Sequence, residues 1–454
     1  MSEHTTVAVG GGTADEFAQA FEQFRALIDG PRIDALQPLG RAAVYTTLVT
    51  VWLLVYQRLQ GDGTLSDAVH ELLRTDPQYL PDNRRVREQT LSANTGSYSR
   101  ARQRLEPAVT DWVADHIFTT LMLTTPPFIA DRRVFVLDGT TIALAPSAAL
   151  KKAFPPASNQ YGVGVWPIAH LLVAHELESG CAILPEVGPK FGPQAMSEAQ
   201  LTHALLLRLP KWSIVIADRN FGIFSVVFAA VQAGHDALAR LTEQRFRALL
   251  RRAQLVTPTD PSSNSRCWRL LWKPTPSDRR SNPDLPAAAA LEVWLHEIVI
   301  SSTFTLWLVT SWTCQAEMAA RLYSRRQDVE TDIREIKVVL KAEQLASRSV
   351  EMLRKELAVS IVAYNLVIQL RRLAARKAGV PPRRLSFTGV WSAVRIILMA
   401  PNQWSATEWQ RQFELALRIA GQHKLPNRPG RSYPRRAHTK RNKSTSGIRP
   451  PATK

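Results

Sequence analysis

Apolar residues in the first quarter of the chain recur at helical spacing. This pattern predicts helices over 15–28, 42–56, 64–74 and 95–105. Thr64 or Ser66 can cap the third of these segments at its N-terminus. The fourth carries Arg100, Arg102 and Arg104, so it is either a contact for a DNA backbone or an element of packing or dimerisation.

The pattern becomes typical of β-structure at residue 133. Strands are predicted over 133–145, 166–177, 180–187 and 212–218, and helices over 197–209 and 223–238. The first strand is apolar up to Asp138, and Gly139 predicts a turn there, giving a hairpin or a bent strand. Three strands followed by helix, strand and helix are the order of a mixed α/β sheet.

A β-rich segment then interrupts the α/β unit. Three strand patterns surround a loop at 257–287 that is rich in Pro, Ser, Asp and Asn, and helical patterns resume at 315. The last 32 residues contain Lys and Arg but no acid, which predicts disorder. We therefore divide the chain into an N-terminal helical region, a first core part, a β-rich insertion, a second core part with C-terminal helices, and a basic tail. Their bounds are 1–125, 126–236, 237–316, 317–422 and 423–454.

Charge and cysteine content narrow the functional class. The net charge of +18 and the pI near 10.2 indicate a polyanionic partner, most simply nucleic acid, although a basic surface can also serve solubility. The three cysteines are far apart and lack metal-finger spacing, which fits a reduced cytoplasmic protein. We expect neither a signal peptide nor a membrane-spanning segment, because the apolar run 42–56 is too short and contains three Thr.

Two aspartates occupy similar places at the ends of apolar strands. Asp138 and Asp218 each lie where a buried strand gives way to a turn, so neighbouring strands would bring them side by side. Two close carboxylates repel each other unless a cation lies between them, and Mg²⁺ prefers such oxygen ligands. For either residue alone, capping of the following turn is the competing interpretation.

The segment "YSRRQDVETDIREIK", residues 323–337, separates its charges by helix face. At about 100° per residue, Tyr323, Arg326, Glu330 and Lys337 share one stripe, beside the apolar stripe of residues such as Val329. A carboxylate flanked by two cations suits a metal ion with phosphate, because guanidinium and ammonium groups neutralise phosphate oxygens. A salt-bridged surface helix explains the same spacing equally well.

The remaining acids of this segment fall on the other side of the wheel. Asp328, Asp332 and Glu335 lie opposite the apolar stripe, so we expect them to be solvated and dispensable.

The four-residue stripe resembles a known signature. Tyr323-x2-Arg326-x3-Glu330-x6-Lys337 is similar, in residue types and spacings, to that of the fourth insertion-sequence family of bacterial DDE transposases. "DGTTIAL" resembles that family's first Asp segment and "IADRNFGIFS" its second. "TLVTVWLLVYQRLQGDGTLSDAV" resembles the N-terminal helical region, and "KELAVSIVAYNL" and "AGVPPRRLSFTG" the C-terminal part. The resemblance covers most of 40–400.

The resemblance implies a fold and a chemistry. It implies a ribonuclease-H-like mixed sheet flanked by helices, with an N-terminal helical DNA-end-binding domain and a β-rich insertion. Asp138, Asp218 and Glu330 would bind two Mg²⁺, or Mn²⁺, for nicking, hairpin formation and strand transfer. Arg326, Lys337 and Tyr323 would grip the end phosphates.

The resemblance also implies partners for the chain. It implies double-stranded DNA, both as terminal inverted repeats and as target, and a homodimer in the synaptic complex. We expect location in the bacterial cytoplasm, with the nucleoid when DNA is bound.

The resemblance further implies an aromatic residue in the insertion that stacks on a flipped base. Trp307 is the first candidate and Trp312 the second, while a core role for Trp307 is the alternative. Arg219 adjoins Asp218 and either contacts phosphate or is a surface charge.

Two other functions stay open, namely a structure-specific nuclease on the same core and a transposon-derived DNA-binding protein without catalysis.

Overall fold

The computed structural model describes most of the chain. The described residues are 27, 29–40, 43–61, 63–75, 77, 80–129, 131–160, 162–256, 264–339, 341, 345, 347–399 and 406–426. The predicted helix over 15–28 and nearly all of the predicted basic tail lie outside these residues.

The N-terminal region is helical, as its apolar spacing predicted. Its helices are α1 (Gly30–Leu36), α2 (Thr47–Gln60), α3 (Leu65–Arg74), α4 (Arg84–Arg87), α5 (Gly96–Arg104) and α6 (Pro107–Leu123). Thr64 caps α3, because its hydroxyl accepts from the backbone N–H of Asp67 while the Asp67 carboxylate accepts from the N–H of Thr64. Apolar residues of α2 and α6 belong to the same core as the central sheet.

The first core part supplies the centre of the sheet. Its strands are β1 (Val134–Ala143), a short pair β2 (Ser158–Asn159) and β3 (Gly162–Val163), β4 (Ile168–Glu176), β5 (Glu186–Pro189), β6 (Ile214–Ala217) and β7 (Asp236–Arg240). Its helices are α7 (Ala148–Ala153), α8 (Glu198–Leu206) and α9 (Phe224–Gln232). Strand β1 pairs antiparallel with β4 and parallel with β6, β4 pairs antiparallel with β5, and β6 pairs parallel with β7.

The resulting order β5-β4-β1-β6-β7 identifies the fold. Three antiparallel strands followed by two parallel ones, in this order, are the arrangement of a ribonuclease-H-like sheet. The predicted fold class, a ribonuclease-H-like mixed α/β sheet flanked by helices, is confirmed.

Three local predictions in this part are wrong, the first being the strand over 180–187, since strand β5 begins only at Glu186. Strand β1 runs through Gly139 without turning, because β4 pairs with it from Phe135 to Ala143. The helix predicted over 223–238 ends at Gln232, and Gly234 then adopts a φ of +85°, which ends the helix before strand β7 begins. The apolar residues after Gly234 therefore belong to a strand.

The insertion extends the central sheet. Its elements are α10 (Glu243–Leu250), β8 (Gln254–Leu255), β9 (Ser265–Trp272), α11 (Pro276–Ser281), β10 (Leu291–Ser301) and β11 (Phe304–Thr310). Strand β11 pairs with β7, so nine strands of the described chain form one sheet in the order β5-β4-β1-β6-β7-β11-β10-β9-β8. The predicted domain boundary at 237 falls within β7, a strand of the parallel part.

The last described elements are helical. They are α12 (Ala316–Ser324), α13 (Gln327–Arg334), a π-helical turn (Glu335–Val339), α14 (Val350–Lys377), a 3₁₀ turn (Pro382–Arg384), α15 (Phe387–Met399) and α16 (Ala406–Ala420). Among the described residues, α14 is long and apolar enough to cross a membrane, but 94% of its most apolar window is buried inside the protein.

Helices cover both faces of the sheet. Alternating residues such as Val134 and Val136 face α12 and α13, whereas Phe135 and Leu137 face the core that contains α6 and α14. Strand residues two positions apart therefore point to the same layer of helices.

A buried lysine ties α14 to the N-terminal helices. Lys355 is 1% exposed, and its ammonium donates to the carbonyl oxygens of Arg102, Gln103 and Leu105 at 2.9, 3.2 and 2.6 Å. These carbonyls end α5, where backbone acceptors lack helical partners, so the lysine acts as a C-terminal cap from a distant helix.

A neutral histidine in the insertion should make folding pH-dependent. His296 is fully buried on β10, its Nε2 lies 3.1 Å from the Thr310 hydroxyl, and burial lowers its pKa to about 4, although Glu317 opposes this. Between about pH 6.5 and 4 the imidazole of His296 binds a proton in the unfolded chain but not in the folded chain. The unfolding free energy therefore falls as pH falls. For one histidine this amounts to about 1.5 kcal/mol between pH 6.5 and 5.

Replacing this histidine should remove the effect. When the pH is lowered from 6.5 to 5, we expect the unfolding free energy of His296→Leu to fall by about 1.5 kcal/mol less than that of the parent chain. Urea denaturation at pH 6.5 and pH 5 measures the difference, and an identical pH dependence in the two proteins would contradict the expectation.

Candidate active site

The parallel strands bring the two aspartates together. Strands β1, β6 and β7 run in the same direction, and continuing their register by one or two residues puts Asp138 level with Asp218 and Arg240. Each lies two positions after a residue that faces α12 and α13, namely Val136, Ile216 or Leu238, so all three point to that same face. The side-by-side aspartates predicted from the sequence therefore share one edge and one face of the sheet.

The pKa of the Asp138 carboxyl group is influenced by charged neighbours. Its carboxyl group is half-buried and accepts a hydrogen bond of 2.9 Å from the N–H of Gly139. Burial raises its pKa to about 6, Arg326 opposes this, and the charges of Asp218 and Glu330 raise it further. Asp218 and Glu330 are thus both close enough to Asp138 to act on it electrostatically.

Asp218 also shapes the turn after β6. One of its carboxylate oxygens accepts from the N–H of Asn220 at 2.7 Å, and its carbonyl oxygen accepts from the N–H of Phe221 at 3.2 Å. The turn-capping interpretation of this residue is therefore correct as well, since capping fixes the carboxylate at the strand end.

Glu330 approaches the same edge from a short helix. Val329 and Ile333 of α13 pack on the sheet face that carries the aspartates. Glu330 is 40% exposed, and its carboxylate accepts from Nη2 of Arg326 at 2.8 Å. The chain between Arg326 and Glu330 is one helical turn, so this ion pair spans i to i+4.

Residues 323–337 do not form the single helix that the wheel assumed. Helix α12 ends at Ser324, α13 begins at Gln327, and a π-helical turn begins at Glu335. Tyr323 and Lys337 nonetheless lie beside the aspartates through contacts with other elements.

Tyr323 and Lys337 close the site from two sides. Burial raises the pKa of Tyr323, while Arg326 and Arg240 lower it and Asp218 raises it, so its hydroxyl lies among these charges. Lys337 donates to the Thr140 hydroxyl at 3.2 Å and to the carbonyl oxygen of Thr141 at 3.0 Å, just past Asp138 on β1.

The face of α13 that we expected to be solvated is covered. Asp332 is fully buried, and Arg383 donates to its two oxygens at 2.8 and 2.8 Å. Asp328 lies 3.1 Å from the same guanidinium, and Glu335 lies 3.3 Å from Arg371 of α14. The wheel failed here because α14 and the turn after it, more than 30 residues away, pack on this side.

Burial also changes the ionisation of Glu335. It raises the pKa of this carboxyl group to about 7, although the charge of Arg371 lowers it. The expectation that Asp332 and Glu335 are ordinary solvated charges is therefore wrong.

Comparison with known proteins identifies the family. Residues 129–366 match the family model described as a transposase DDE domain, which is more than half of the 454 residues. The chain belongs to the transposase DDE domain family. The matched span runs from the segment before β1 into α14 and contains Asp138, Asp218 and Glu330.

This DDE-domain chain also has a similar solved structure. It is similar to the piggyBac transposase in a synaptic complex with hairpin DNA, with a TM-score of 0.39 and 10% sequence identity. The similarity covers 91% of this chain and 87% of that one. No curated protein matches the chain in sequence.

Arg240 is a residue of the DDE-domain site that the sequence did not reveal. It ends β7, its guanidinium lies 5.5 Å from the centre of the Phe304 ring, and its Nε is buried with no hydrogen-bond partner among the described residues. Because 223–238 was interpreted as a helix, the strand end that aligns Arg240 with Asp218 could not be recognised.

The two candidate tryptophans of the insertion lie away from the carboxylates. Trp307 alternates with residues that face α12 and α13, so it points to the opposite face, where its ring centre lies 6.4 Å from that of Phe246. Trp312 follows β11 and stacks with Arg132, whose partner Asp236 begins β7 at the end remote from Arg240. Stacking of either ring on a flipped base stays a prediction, and the placement of Trp307 favours its packing role.

Arg219 lies next to Asp218 on the surface of the DDE domain. Its side chain is exposed, and its carbonyl oxygen lies 3.5 Å from Nη1 of Arg245. Both interpretations given for Arg219, a phosphate contact and a surface charge, stay open to test.

The donor atoms of this DDE domain suit a hard divalent cation. Three carboxylates are the ligands that Mg²⁺ and Mn²⁺ prefer, and positive charge would relieve the repulsion among Asp138, Asp218 and Glu330. In the described part of the chain, no three His, Cys, Asp or Glu side chains enclose an ion as they stand. Glu330 would complete the set when its carboxylate turns from Arg326 towards the aspartates.

Proposed function

We propose that the chain is a metal-dependent cut-and-paste DNA transposase of the fourth insertion-sequence type. Its reactions would be nicking at the element end, hairpin formation and strand transfer. The observation that supports this is the gathering of Asp138, Asp218 and Glu330 at one edge of the sheet of a transposase DDE domain. Two Mg²⁺ ions, or Mn²⁺, would activate water or a DNA 3′-hydroxyl and stabilise the leaving oxygen.

The protein groups around the acids would position the scissile phosphate. Arg326 would release the Glu330 carboxylate and bind a phosphate oxygen instead, since the paired N–H groups of a guanidinium bind carboxylate and phosphate alike. Lys337 and Tyr323 would hold the neighbouring phosphates. Arg240 would add a partly buried positive charge level with Asp218, where charge builds up during in-line displacement.

The remaining surface would serve DNA and a second subunit. Arg100 and Arg104 of α5 lie on a solvent-accessible part of the N-terminal helices and would contact the backbone of the inverted repeat. Cleavage at both element ends requires two active sites, so we propose a homodimer in the synaptic complex. The tail after residue 426, with its excess of basic residues, would add nonspecific affinity for DNA.

Incubation of the purified chain with its own flanking inverted repeats tests this function. We expect nicks and hairpins at the element end with Mg²⁺ or Mn²⁺, and none after chelation. Denaturing gels separate hairpins from linear strands, because hairpins migrate as double-length products. End binding without any metal-dependent cleavage would instead support the catalytically silent DNA-binding protein. Cleavage of branched DNA without preference for the ends would support the nuclease.

The role of Arg240 gives a separate prediction. We expect Arg240→Met to lower the rate of end nicking by about a hundredfold, because one preorganised charge near the transition state is lost. Arg240→Lys should recover part of the rate, since it restores the charge without the fork. Single-turnover nicking at saturating protein measures both. A rate for Arg240→Met equal to that of the surface control Arg247→Met would contradict the role.

A further inference from the structure

A single guanidinium holds two carboxylates on the back of α13. Nη1 and Nη2 of Arg383 each lie 2.8 Å from an oxygen of Asp332, and its Nε lies 3.1 Å from Asp328. All three nitrogens of the guanidinium are therefore engaged by one short helix. Bidentate pairing of this kind fixes orientation as well as distance.

The helix geometry places this contact opposite Glu330. At about 100° per residue, Asp328 and Asp332 lie about 40° apart, and Glu330 lies about 160° from each. Asp332 is fully buried whereas Glu330 is 40% exposed. Contacts on the back of α13 thus set the direction in which Glu330 projects.

Helix α13 has little stability of its own. It contains eight residues, begins after a break at Arg325 and Arg326, and runs into a π-helical turn. Isolated helices shorter than about 12 residues are marginal in water, so tertiary contacts must hold this one in place. Val329 and Ile333 pack the apolar side of the helix onto the sheet, which leaves its polar back to be held by other contacts.

Arg383 is itself anchored to a rigid part of the fold. It lies in the 3₁₀ turn Pro382–Arg384 that follows the buried helix α14, and the N–H of Leu385 donates to the carbonyl oxygen of Pro382 at 3.0 Å. Beneath the ion pair lies His175 of β4, which is fully buried and whose pKa is lowered to about 4 by burial, although Asp332 raises it. Because the His175 ring is neutral, the cation that Asp328 and Asp332 share is Arg383.

We propose that Arg383 is a positioning residue that fixes the rotation and height of α13 so that Glu330 can reach a metal ion held by Asp138 and Asp218. This proposal rests on the proposed function and specifies which distant element completes the metal site. Arg383 touches neither DNA nor metal in this role and acts only through α13.

Metal binding separates positioning from simple stabilisation. The probe is Mn²⁺, titrated into the full chain bound to end DNA and followed by electron paramagnetic resonance of the free ion. We expect Arg383→Lys to weaken Mn²⁺ binding by about tenfold, as is typical when a group that orients a ligand is changed. Affinity for end DNA should stay unchanged, because the DNA-facing side is untouched. Asp332→Asn, which keeps the shape of the partner, should weaken Mn²⁺ binding in the same direction.

The matched control is a buried ion pair elsewhere. Glu356 of α14 is paired with Arg102 of α5 at 2.9 Å, and its side chain is 2% exposed. Glu356→Gln should lower Tm as Arg383→Lys does, yet leave Mn²⁺ affinity unchanged. Parental Mn²⁺ affinity in Arg383→Lys, or an equal loss in Glu356→Gln, would overturn the positioning role. Failure of the parent chain itself to bind Mn²⁺ or cleave ends would overturn the proposed function instead.

Discussion

Glu330→Gln is expected to abolish metal-dependent cleavage of the element end while preserving end binding. The amide keeps the shape of the side chain and a contact for Arg326, but it removes the negative charge that would complete the ligand set with Asp138 and Asp218. We expect the nicking rate to fall by at least about a thousandfold, equivalent to about 4 kcal/mol of transition-state stabilisation. Gel assays of nicking and of end binding, run on the same preparation, measure the two effects.

Substitution of a second glutamate is the control that distinguishes the loss of a metal ligand from the loss of a surface ion pair. Glu408 pairs with Arg411 at 2.8 Å on α16, a helix of the C-terminal part. Glu408→Gln should nick at the parental rate. Retained nicking by Glu330→Gln would show that Asp138 and Asp218 act without it and that the site assignment is wrong.

Asp332→Ala has the second largest expected effect, and it acts on folding. The substitution leaves the Arg383 guanidinium with Asp328 as its carboxylate partner at 3.1 Å and creates a cavity where a buried carboxylate was. Breaking a buried ion pair on one side typically costs about 3–5 kcal/mol. Equilibrium unfolding in urea measures the loss.

An exposed acid provides the comparison for this loss. Glu243 pairs with Arg247 on α10, and its side chain is 50% exposed. Glu243→Ala should cost less than about 1 kcal/mol, as exposed ion pairs do. Equal costs for the two substitutions would mean that Asp332 is solvated after all, as the helical wheel alone suggested.

The sequence predicted the placement of the three acids better than it predicted the elements that support them. Asp138 and Asp218 could be found because strand ends and turns leave local signals, and parallel strands then align such ends. Glu330 could be found because its neighbours Val329 and Ile333 mark the buried stripe. These inferences need only the residues within one or two turns of each acid.

The burial of Asp332 lay beyond such local signals. On a helical wheel every polar face is taken to be exposed to solvent. A polar face that is buried under another polar element has the same pattern of residues, so the wheel cannot distinguish the two. Arg383, the partner of Asp332, and Arg371, which pairs with Glu335, lie more than 35 residues further along the chain than these acids, on elements whose docking no local pattern records. The strand β7 was missed for a related reason, since five residues after Gly234 have too little alternation to outweigh the helical pattern before them.

The lysine cap between α14 and α5 bears on how the chain can be divided for experiments. Lys355 satisfies carbonyl groups of Arg102, Gln103 and Leu105, and α6 packs with α14 around the core of the sheet. A protein that lacks the residues before 126 would lose these three acceptors of Lys355, leaving Glu351 as its partner, and would expose an apolar flank of its longest helix to water. End recognition and strand chemistry are therefore better separated by point substitution than by cutting the polypeptide.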